Sequence, residues 1–388
     1  MPEPNAIWII TGETSGDDYG ARLAEKLRQL APGVSLHGMG GQQLRQAGVE
    51  IAFDSSELGV VGLVEVLRHL PRFFRLFRDL LARIRQQRPA AVVLIDYPGF
   101  NLRLAGKLRG SGIPVFYYIS PQVWAWKKGR IKTMARSVAR LFCIFPFEPA
   151  VYAGTALPVE FVGHPLLQAL APYRERTAQR DPNLVLLLPG SRSGELHYIL
   201  PALLQTAAEL RQQRPELRFV LPLPREKTLA VAREIISREQ QQHGPLPPVE
   251  LCLGQTREMM IQAAAGIAAS GTVTVEAAIL DLPLVVTYRL SWLSWQLGKR
   301  LVKLPWISIA NLVCNSCVYE EYLQDQATPA NLSQALLKVL PGGSRRQEVL
   351  AGLQRTRELL GGDVDVADRV ARGILLDTFE RLPEGTAI

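Results

Sequence analysis

An acidic residue at the end of an apolar run is the first candidate for chemistry in this sequence. Asp96 directly follows Ala91–Ile95 and precedes Tyr97-Pro98. Pro98 restricts Tyr97 toward extended backbone, so we expect the chain to turn away and leave the carboxylate at the mouth of a cleft. A carboxylate placed there suits a general base that takes a proton from an attacking hydroxyl. The alternative is an Asx-type turn, in which Asp96 only accepts hydrogen bonds from backbone N–H groups.

Two turns in the second half of the chain have the residue types that bind phosphate. Gly190-Ser191-Arg192 leads into a long helical stretch, so the helix start and the guanidinium both favour an anion. Ser270-Gly271-Thr272 offers a glycine and hydroxyls, and Glu276 lies one helical turn beyond Thr272, where a carboxylate can accept hydrogen bonds from both ribose hydroxyls. Together the turns favour a diphosphate and its nucleoside, whereas either turn alone could be an ordinary capped helix start.

A third turn, Gly12–Asp17, joins an apolar run to a helix near the N-terminus. Its free N–H groups could meet an anion, but Glu13 would repel phosphate, so we expect Glu13, Ser15 and Gly16 to contact a sugar or another polar group. A plain turn capped by Ser15 or Asp17 fits equally well.

The glycines at 38–41 suggest a dinucleotide fingerprint that the sequence does not complete. Gln43 stands where the third glycine is required, and no strong strand precedes the segment. This weakens the case for a nicotinamide-dependent dehydrogenase.

The elements that must position these turns alternate between short apolar runs and amphipathic helices, which is typical of βαβ units. Strands are predicted at 7–10, 91–95, 114–119, 141–145, 159–162, 184–188, 218–221, 249–253, 266–269 and 284–288. Ligands of such sheets bind beyond the carboxyl ends of the strands, where the turns lie. The predicted fold class is α/β, with two facing Rossmann-like domains.

Domain boundaries follow from a polar stretch at 171–182 that lacks strand signals. We predict one domain over 1–170, a second over 171–343, and C-terminal helices over 344–388 that return to an N-terminal domain, of the same chain or of a partner.

Bulk composition sets limits on the class of protein. The chain has 388 residues, 47% of them hydrophobic, which is enough for two cored domains, and its net charge of +8 favours an anionic partner. Four scattered cysteines are no disulfide framework, and the pair Cys314 and Cys317 lacks two further ligands for zinc. With no apolar run of about 18 residues and no signal-peptide pattern, we expect a cytoplasmic protein.

An apolar segment beside a basic helix face indicates a membrane contact. From residue 66 to 88 seven arginines stand against one aspartate, next to an apolar run at 58–64. Such a surface suits a peripheral contact with anionic lipid. The expected contact residues are Val60, Val61, Leu63, Val64, Leu67, Arg68, Arg72, Phe74 and Arg75. Core packing explains the helical stripe but not the extra apolar residues, and nucleic acid is not expected, because stacking aromatics and base-reading amides are lacking.

Six motifs occur in one order along the chain. They are Gly12–Asp17, Asp96–Asn101, Ser120–Trp126, Gly163–Leu166, Leu188–Arg192 and Ser270–Thr272. In this order they resemble the bacterial lipid-A-disaccharide synthase family, from about residue 6 to 375.

The resemblance implies an inverting glycosyltransferase of the GT-B fold in lipid A biosynthesis. It would join UDP-2,3-diacylglucosamine to 2,3-diacylglucosamine 1-phosphate, releasing UDP and forming a β-1,6-linked disaccharide. Asp96 matches the family's general base, Arg192, Thr272 and Glu276 match its donor contacts, and Asn311 matches an asparagine near the donor. The substrate-binding residues expected on these grounds are Glu13, Ser15, Gly16, Asn101, Gly190, Ser191, Arg192, Ser270, Gly271, Thr272, Glu276, Asn311 and Gln324.

The resemblance further implies an enzyme without metal or other cofactor, located at the cytoplasmic face of the inner membrane. A homodimer is a separate expectation, in which the C-terminal helices would return to a partner's domain. The first domain would hold the acceptor and meet the membrane, and Trp292-Leu293-Ser294-Trp295 is either a second membrane contact or core.

The sequence departs from the family pattern after Asn311, where Ser316 and Cys317 replace Arg and Glu and Glu320 replaces Pro. The alternatives are another GT-B enzyme that uses a UDP-sugar, a transferase or an epimerase, or a catalytically silent lipid-binding relative.

Overall fold

Parallel strands alternate with helices throughout the computed structural model, which describes residues 3–55, 63–176, 179–302 and 304–379. On the helix that begins at Leu63, side chains are described from residue 73 onward. The chain divides into two compact units, residues 1–165 with 363–388, and residues 166–362.

The first unit is built on a seven-stranded parallel sheet in the order β3-β2-β1-β4-β5-β6-β7. Its strands are β1 (Ala6–Ile10), β2 (Ser35–Gly40), β3 (Glu50–Asp54), β4 (Ala91–Ile95), β5 (Val115–Tyr118), β6 (Arg140–Cys143) and β7 (Val159–Phe161). Its helices are α1 (Thr14–Leu30), α2 (Gln42–Gln46), α3 (Leu63–Gln87), α4 (Pro98–Leu108), α5 (Arg130–Ser137) and α6 (Glu148–Val151). Every residue of β1 and β4 is buried, because helices cover both faces of a parallel sheet.

The second unit has a six-stranded parallel sheet in the order β10-β9-β8-β11-β12-β13. Its strands are β8 (Asp181–Leu188), β9 (Arg218–Leu223), β10 (Val249–Leu253), β11 (Ala263–Ala269), β12 (Leu284–Tyr288) and β13 (Glu320–Leu323). Its helices are α7 (Leu166–Arg174), α8 (Ser193–Gln213), α9 (Glu226–His243), α10 (Thr256–Gln262), α11 (Thr272–Ile279), α12 (Trp292–Leu301), α13 (Ile309–Cys314), α14 (Pro329–Val339) and α15 (Arg346–Leu359).

The last helix, α16 (Val366–Phe379), returns to the first unit and packs on α1. Ion pairs hold it at both ends, Lys26 to Asp365 at 2.8 Å and Arg140 to Asp377 at 3.0 Å. Helix α15, by contrast, packs on α11 and α13, so the chain leaves the second unit after Gly362 and not at residue 343. The reason is local: α15 lies against α13 through Cys314 and Thr356, whose side chains are 3.2 Å apart.

Strand pairing places the candidate turns side by side, as one pair of turns in each unit. Strand β1 lies beside β4, with Ile10 opposite Leu94, so the turns after both strands share one edge of the sheet. Strand β8 lies beside β11 in the same way, with Leu188 opposite Ala268. The polar groups of each unit therefore collect at one sheet edge.

Three strands differ from the sequence-based assignment. β2, β3 and β13 were not predicted, and the glycines at 38–40 belong to β2 itself. A side chain at Gly38 would lie 2.3 Å from the carbonyl oxygen of Ile9, so this glycine permits the close pairing of β1 with β2. The segment 171–182, predicted as a linker, contains the end of α7 and the start of β8.

No helix within the described ranges is both long enough and apolar enough to cross a bilayer.

Candidate active site

The turn after β4 holds Asp96 in an unusual backbone conformation. Asp96 and Tyr97 both lie in the left-handed region, with φ of 46° and 45°. Extended backbone at Tyr97, expected from Pro98, is therefore wrong. Two donors fix the turn through the carbonyl oxygen of Asp96: the hydroxyl of Tyr117 donates to it at 2.6 Å and Nδ2 of Asn101 at 2.8 Å. Such strain, of order 1–3 kcal/mol per residue, persists only where the surroundings enforce it, typically at functional sites.

Asn101 acts here through the backbone. It is fully buried, and its Nδ2 also donates to the carbonyl of Ile95 at 3.1 Å. Its Oδ1 is buried with no hydrogen-bond partner in the described part of the chain. The structure thus places Asn101 beneath the Asp96 turn as a positioning residue, while its substrate contact stays a prediction.

The carboxyl group of Asp96 has a perturbed affinity for protons. Its pKa is raised from 3.8 to about 6, mainly by burial and also by the negative charge of Glu13, while the hydrogen bond from the backbone N–H of Tyr97 opposes the shift. A base with a pKa near 6 is ionised at neutral pH and still accepts a proton readily. The partly buried side chain makes no other hydrogen bond among the described residues, so it is available to a hydroxyl.

The turn after β1 completes this site. A side chain at Gly12 would lie 2.2 Å from the Tyr97 ring, so only glycine lets the two turns approach. Glu13 and Ser15 are exposed at the start of α1, and Gly16 is buried against the end of β4. Asp17, in contrast, is a buried cap for α2: its carboxylate accepts from the N–H groups of Gly41 at 2.6 Å and Gln43 at 2.9 Å.

Sequence reasoning missed Glu148, which supports the motif Ser120–Trp126. Its buried carboxylate accepts from the N–H groups of Ile144 and Phe145 at 3.1 and 3.0 Å and from the indole of Trp124 at 3.2 Å. Burial raises the pKa of Glu148 to about 7. A glutamate just after a strand, between Phe147 and Pro149, was the available signal.

The second unit contains a pocket of about 630 Å³ at the edge where β8 and β11 end. This volume lies in the range of small-molecule sites. Seven residues predicted from the two turns line it: Gly190, Ser191, Arg192, Ser270, Gly271, Thr272 and Glu276. Lining residues that the sequence did not indicate include Tyr173, Glu195, Gly254, Arg257, Glu258 and Tyr288.

Glu195 shapes the first of these turns. Its Oε2 accepts from the N–H groups of Ser191 at 3.0 Å and Arg192 at 3.2 Å, so a carboxylate occupies the donors expected to meet phosphate. Gly190 has φ of 112°, and a side chain there would lie 2.3 Å from Glu195. The side chain of Arg192 is 82% exposed and only loosely paired with Glu195 at 3.5 Å. The guanidinium, more than the turn's backbone, is therefore the group ready for an anion.

Glu276 is held by an arginine from a neighbouring helix. Nε and Nη2 of Arg257 donate to the same oxygen, Oε1, at 3.0 and 2.7 Å. Oε2 makes no hydrogen bond within the described residues and can still accept from a ligand. The pair fixes the carboxylate in the pocket wall and offsets its charge.

Asn311 and Gln324 do not line this pocket. Asn311 is fully buried, its Nδ2 donating to Tyr319 O and to Oε1 of Glu321 and its Oδ1 accepting from the N–H of Tyr319, all at 2.8 Å. Glu321 in turn accepts from the N–H of Ile307 at 2.8 Å, and the carbonyl of Ile307 accepts from the hydroxyl of Ser270 at 2.7 Å. Asn311 thus supports a pocket residue through a chain of hydrogen bonds.

The segment that departs from the family pattern has its own partners. Glu320 pairs with Arg345 at 2.9 Å and with Lys338 at 3.3 Å, which anchors β13 to α14 and to the start of α15. No cluster of three or more His, Cys, Asp or Glu side chains suited to a metal ion occurs within the described ranges.

The predicted membrane surface is described only at its end. Val60 and Val61 lie outside the described residues, as do the side chains of Leu63, Val64, Leu67, Arg68 and Arg72. Phe74 is 57% exposed and Arg75 is exposed beside it. Phe73 and Phe77 instead pack edge-on against Phe100, with centroids 5.4 and 5.2 Å apart. Phe73 and Phe77 therefore belong to the core face of α3, whereas Phe74 lies on its exposed face.

Comparison with known sequences gives a consistent result. A family model described as lipid-A-disaccharide synthetase matches residues 7–372. The chain is 40% identical to a lipid-A-disaccharide synthase of Syntrophotalea carbinolica, over 96% of this chain and 95% of the relative. It is 36% identical to that of Myxococcus xanthus, over 99% and 100%.

Solved structures share the fold. The UDP-GlcNAc 2-epimerase of Neisseria meningitidis, bound to UDP-GlcNAc, has a TM-score of 0.62 at 12% identity, covering 97% of this chain and 100% of that one. The glycosyltransferase of kitacinnamycin has a TM-score of 0.61 at 17% identity, covering 96% and 99%. At these identities the likeness concerns the fold alone, and it confirms the predicted α/β architecture of two Rossmann-like domains.

The contact between Gly190 and Glu195 is tested by Gly190→Ala. The new methyl group would displace the Glu195 carboxylate and occupy a left-handed conformation, so the free energy of unfolding should fall by about 1–3 kcal/mol. Gly194→Ala is the matched control, since no atom lies within 4 Å of the new methyl group. Urea unfolding measures both variants, and equal stabilities would contradict the role assigned to Gly190.

Proposed function

This chain belongs to the lipid-A-disaccharide synthase family and is a glycosyltransferase of lipid A biosynthesis, and we propose that Asp96 is its general base. The substrates proposed are UDP-2,3-diacylglucosamine as donor and 2,3-diacylglucosamine 1-phosphate as acceptor. The observation that carries the proposal is the Asp96 turn: a partly buried carboxylate with a pKa of about 6, held in a strained conformation at the end of β4.

The proposed reaction is a single displacement. Asp96 takes the proton of the acceptor's 6-hydroxyl as its oxygen attacks the anomeric carbon of the donor. The bond from that carbon to the diphosphate oxygen breaks, UDP departs, and the configuration inverts to β. Burial, together with the charge of Glu13, keeps the pKa of Asp96 high, which strengthens the base.

The pocket of the second unit is the proposed donor site. The guanidinium of Arg192 and the N-terminus of α11 at Thr272 would stabilise the negative charge that develops on the leaving diphosphate. Oε2 of Glu276 would accept from the ribose hydroxyls, with Arg257 holding the carboxylate in place. These groups supply the charge stabilisation from the protein itself.

The proposed location is peripheral, at the cytoplasmic face of the inner membrane. Both substrates carry acyl chains, so the enzyme must reach a bilayer, and exposed Phe74 and Arg75 support a contact through the N-terminal part of α3 with anionic lipid. A homodimer is also part of the proposal.

The function is tested by incubating the enzyme with both proposed substrates and analysing the products by mass. The wild type should form the disaccharide phosphate and UDP, and Asp96→Asn should lose turnover by 10²-fold or more while still binding UDP. An epimerised donor, or lipid binding without turnover, would instead support the alternative functions. Full activity in Asp96→Asn would overturn the base assignment.

The same variant should be more stable than the wild type. The folded-state pKa of Asp96 lies above the unfolded value of 3.8, so its ionised form costs stability above about pH 6, and this cost vanishes below about pH 4. At pH 8, Asp96→Asn should raise the free energy of unfolding by at most about 3 kcal/mol. At pH 3 the two proteins should be equally stable in urea titrations, and a destabilised variant at pH 8 would contradict the burial of charge.

The pH dependence of turnover separates the two causes of this pKa shift. The acid limb of kcat/KM should lie near pH 6, and Glu13→Gln should move it to lower pH by removing a negative charge. Glu25→Gln removes the charge of an exposed carboxylate further along α1 and should leave the acid limb unchanged. A limb that stays in place in Glu13→Gln would show that burial alone sets the pKa.

The membrane contact is tested with Phe74→Ser combined with Arg75→Glu. Loss of an apolar anchor and reversal of a charge should weaken binding to vesicles containing anionic phospholipid by about tenfold or more. Thermal stability should hold, because both side chains are exposed. Arg233→Glu, an exposed charge reversal on α9, controls for net charge, and an equal loss in that variant would contradict a local contact.

A further inference from the structure

A second cavity, of about 390 Å³, lies beside α12 in the second unit and is not used by the proposed mechanism. It is lined by the rings of Tyr198, Trp292 and Trp295, by Leu290, by two cations, Arg289 and Lys299, and by one carboxylate, Asp325. We call it the aromatic groove. The indole and phenol rings give apolar faces with polar edges, which is typical of sites for amphiphilic molecules.

The aromatic groove adjoins the donor pocket through two elements. Glu195 on α8 lines the pocket, and Tyr198, one helical turn later, lines the groove. After β12, Tyr288 lines the pocket and the next residue, Arg289, lines the groove. Neighbouring residues of both elements therefore line the two cavities, so an extended group of a ligand in the pocket lies close enough to reach the groove.

Gln324 fixes the segment 289–290, which lines the groove and directly follows the pocket residue Tyr288. Its Oε1 accepts from the N–H of Leu290 at 2.7 Å, and its Nε2 donates to the carbonyl of Leu290 at 3.1 Å. Nε of Arg289 donates to the backbone carbonyl of Gln324 at 3.3 Å. The predicted substrate residue Gln324 thus holds the segment 289–290, so the groove is preformed on its pocket side.

The outer side of the groove is open and apolar. Trp292 is 70% exposed and Tyr198 is 47% exposed. Two large rings in contact with water at one groove form an apolar surface that a bound ligand would cover. Lys299 lies with its Nζ 5.5 Å from the Trp295 ring, and Arg300 follows on the last turn of α12. Apolar rings bordered by cations match an acyl chain that runs out toward an anionic bilayer.

We propose that the aromatic groove binds the fatty-acyl chains of the donor while its nucleotide occupies the adjoining pocket. This inference rests on the proposed function, because it takes the donor to be an acylated UDP-sugar. It assigns to Trp292 and Trp295 a role in donor specificity: they distinguish an acylated from an unacylated nucleotide sugar.

The test is calorimetric binding without acceptor, so that no turnover occurs. The probes are UDP, UDP-glucosamine, and two UDP-2,3-diacylglucosamines of different short chain length, each below its micelle-forming concentration. In the wild type, affinity should rise with chain length, by up to about fourfold for each methylene buried. In the double variant Trp292→Ala with Trp295→Ala, the affinity gained from UDP-glucosamine to the longer-chain acylated donor should fall by tenfold or more. The Kd for UDP and for UDP-glucosamine should change less than twofold. Leu376→Ala, which removes an exposed apolar side chain from α16 in the first unit, should bind all probes as the wild type does.

Three results would overturn the inference. Equal losses for UDP would mean that the tryptophans support the nucleotide pocket, and a loss for UDP-glucosamine equal to that for the acylated donors would mean that they bind the sugar. If the affinity of the double variant still rose with chain length as in the wild type, the groove would have no role in donor recognition. This would hold even if the variant no longer bound vesicles. Failure of the proposed function is a separate observation, since it would appear as no disaccharide from the wild type whatever its affinity for the acylated donor.

Discussion

Two strand pairings, β1 with β4 and β8 with β11, fix where the polar groups of both sites can lie. Parallel strands end at one edge, so each pairing places two loops side by side before any side chain is specified. The pairings in turn depend on burial from both faces, which is why β1 and β4 consist of apolar residues without interruption. A polar residue inside these strands would weaken the sheet and displace the turns together.

In both candidate sites, the polar group that faces the ligand side is oriented by hydrogen bonds from other polar groups. Asp96 carries a strained backbone because Asn101 and Tyr117 bind its carbonyl, and Glu276 keeps its direction because Arg257 binds one oxygen. Preorganised groups need no rearrangement when charge develops, and this is the usual source of electrostatic catalysis.

Much of this arrangement could be predicted from the sequence, and the exceptions have physical reasons. Continuous apolar runs marked the central strands, because these are buried on both faces. Strand β2 contains two glycines and a histidine in place of an apolar run, and β13 begins with two glutamates at the sheet edge, so neither has that pattern. Likewise the closely spaced glycine, hydroxyl and guanidinium groups after β8 and β11 indicated a pocket, and in the structure they line one.

Residues contributed by a distant segment could not be found this way. Arg257 stands on a short helix with no motif, and only the fold brings it to Glu276. Asn311 and Gln324 fit a family pattern, yet the pattern does not tell whether a side chain points to a ligand or to the protein. In the structure both amides bind backbone groups, which makes them parts of the framework.

The carboxylate of Glu195 on the turn at Ser191 has a consequence for discrimination among cellular anions. A free phosphate that approached this turn would meet a negative charge and N–H groups already engaged, and it would gain little beyond Arg192. In the proposed donor complex a nucleotide would also engage Thr272 and Glu276, contacts that free phosphate cannot make together. Glu195 would therefore favour the nucleotide over inorganic phosphate, and the turn's N–H groups would keep their hydrogen bonds when the diphosphate departs.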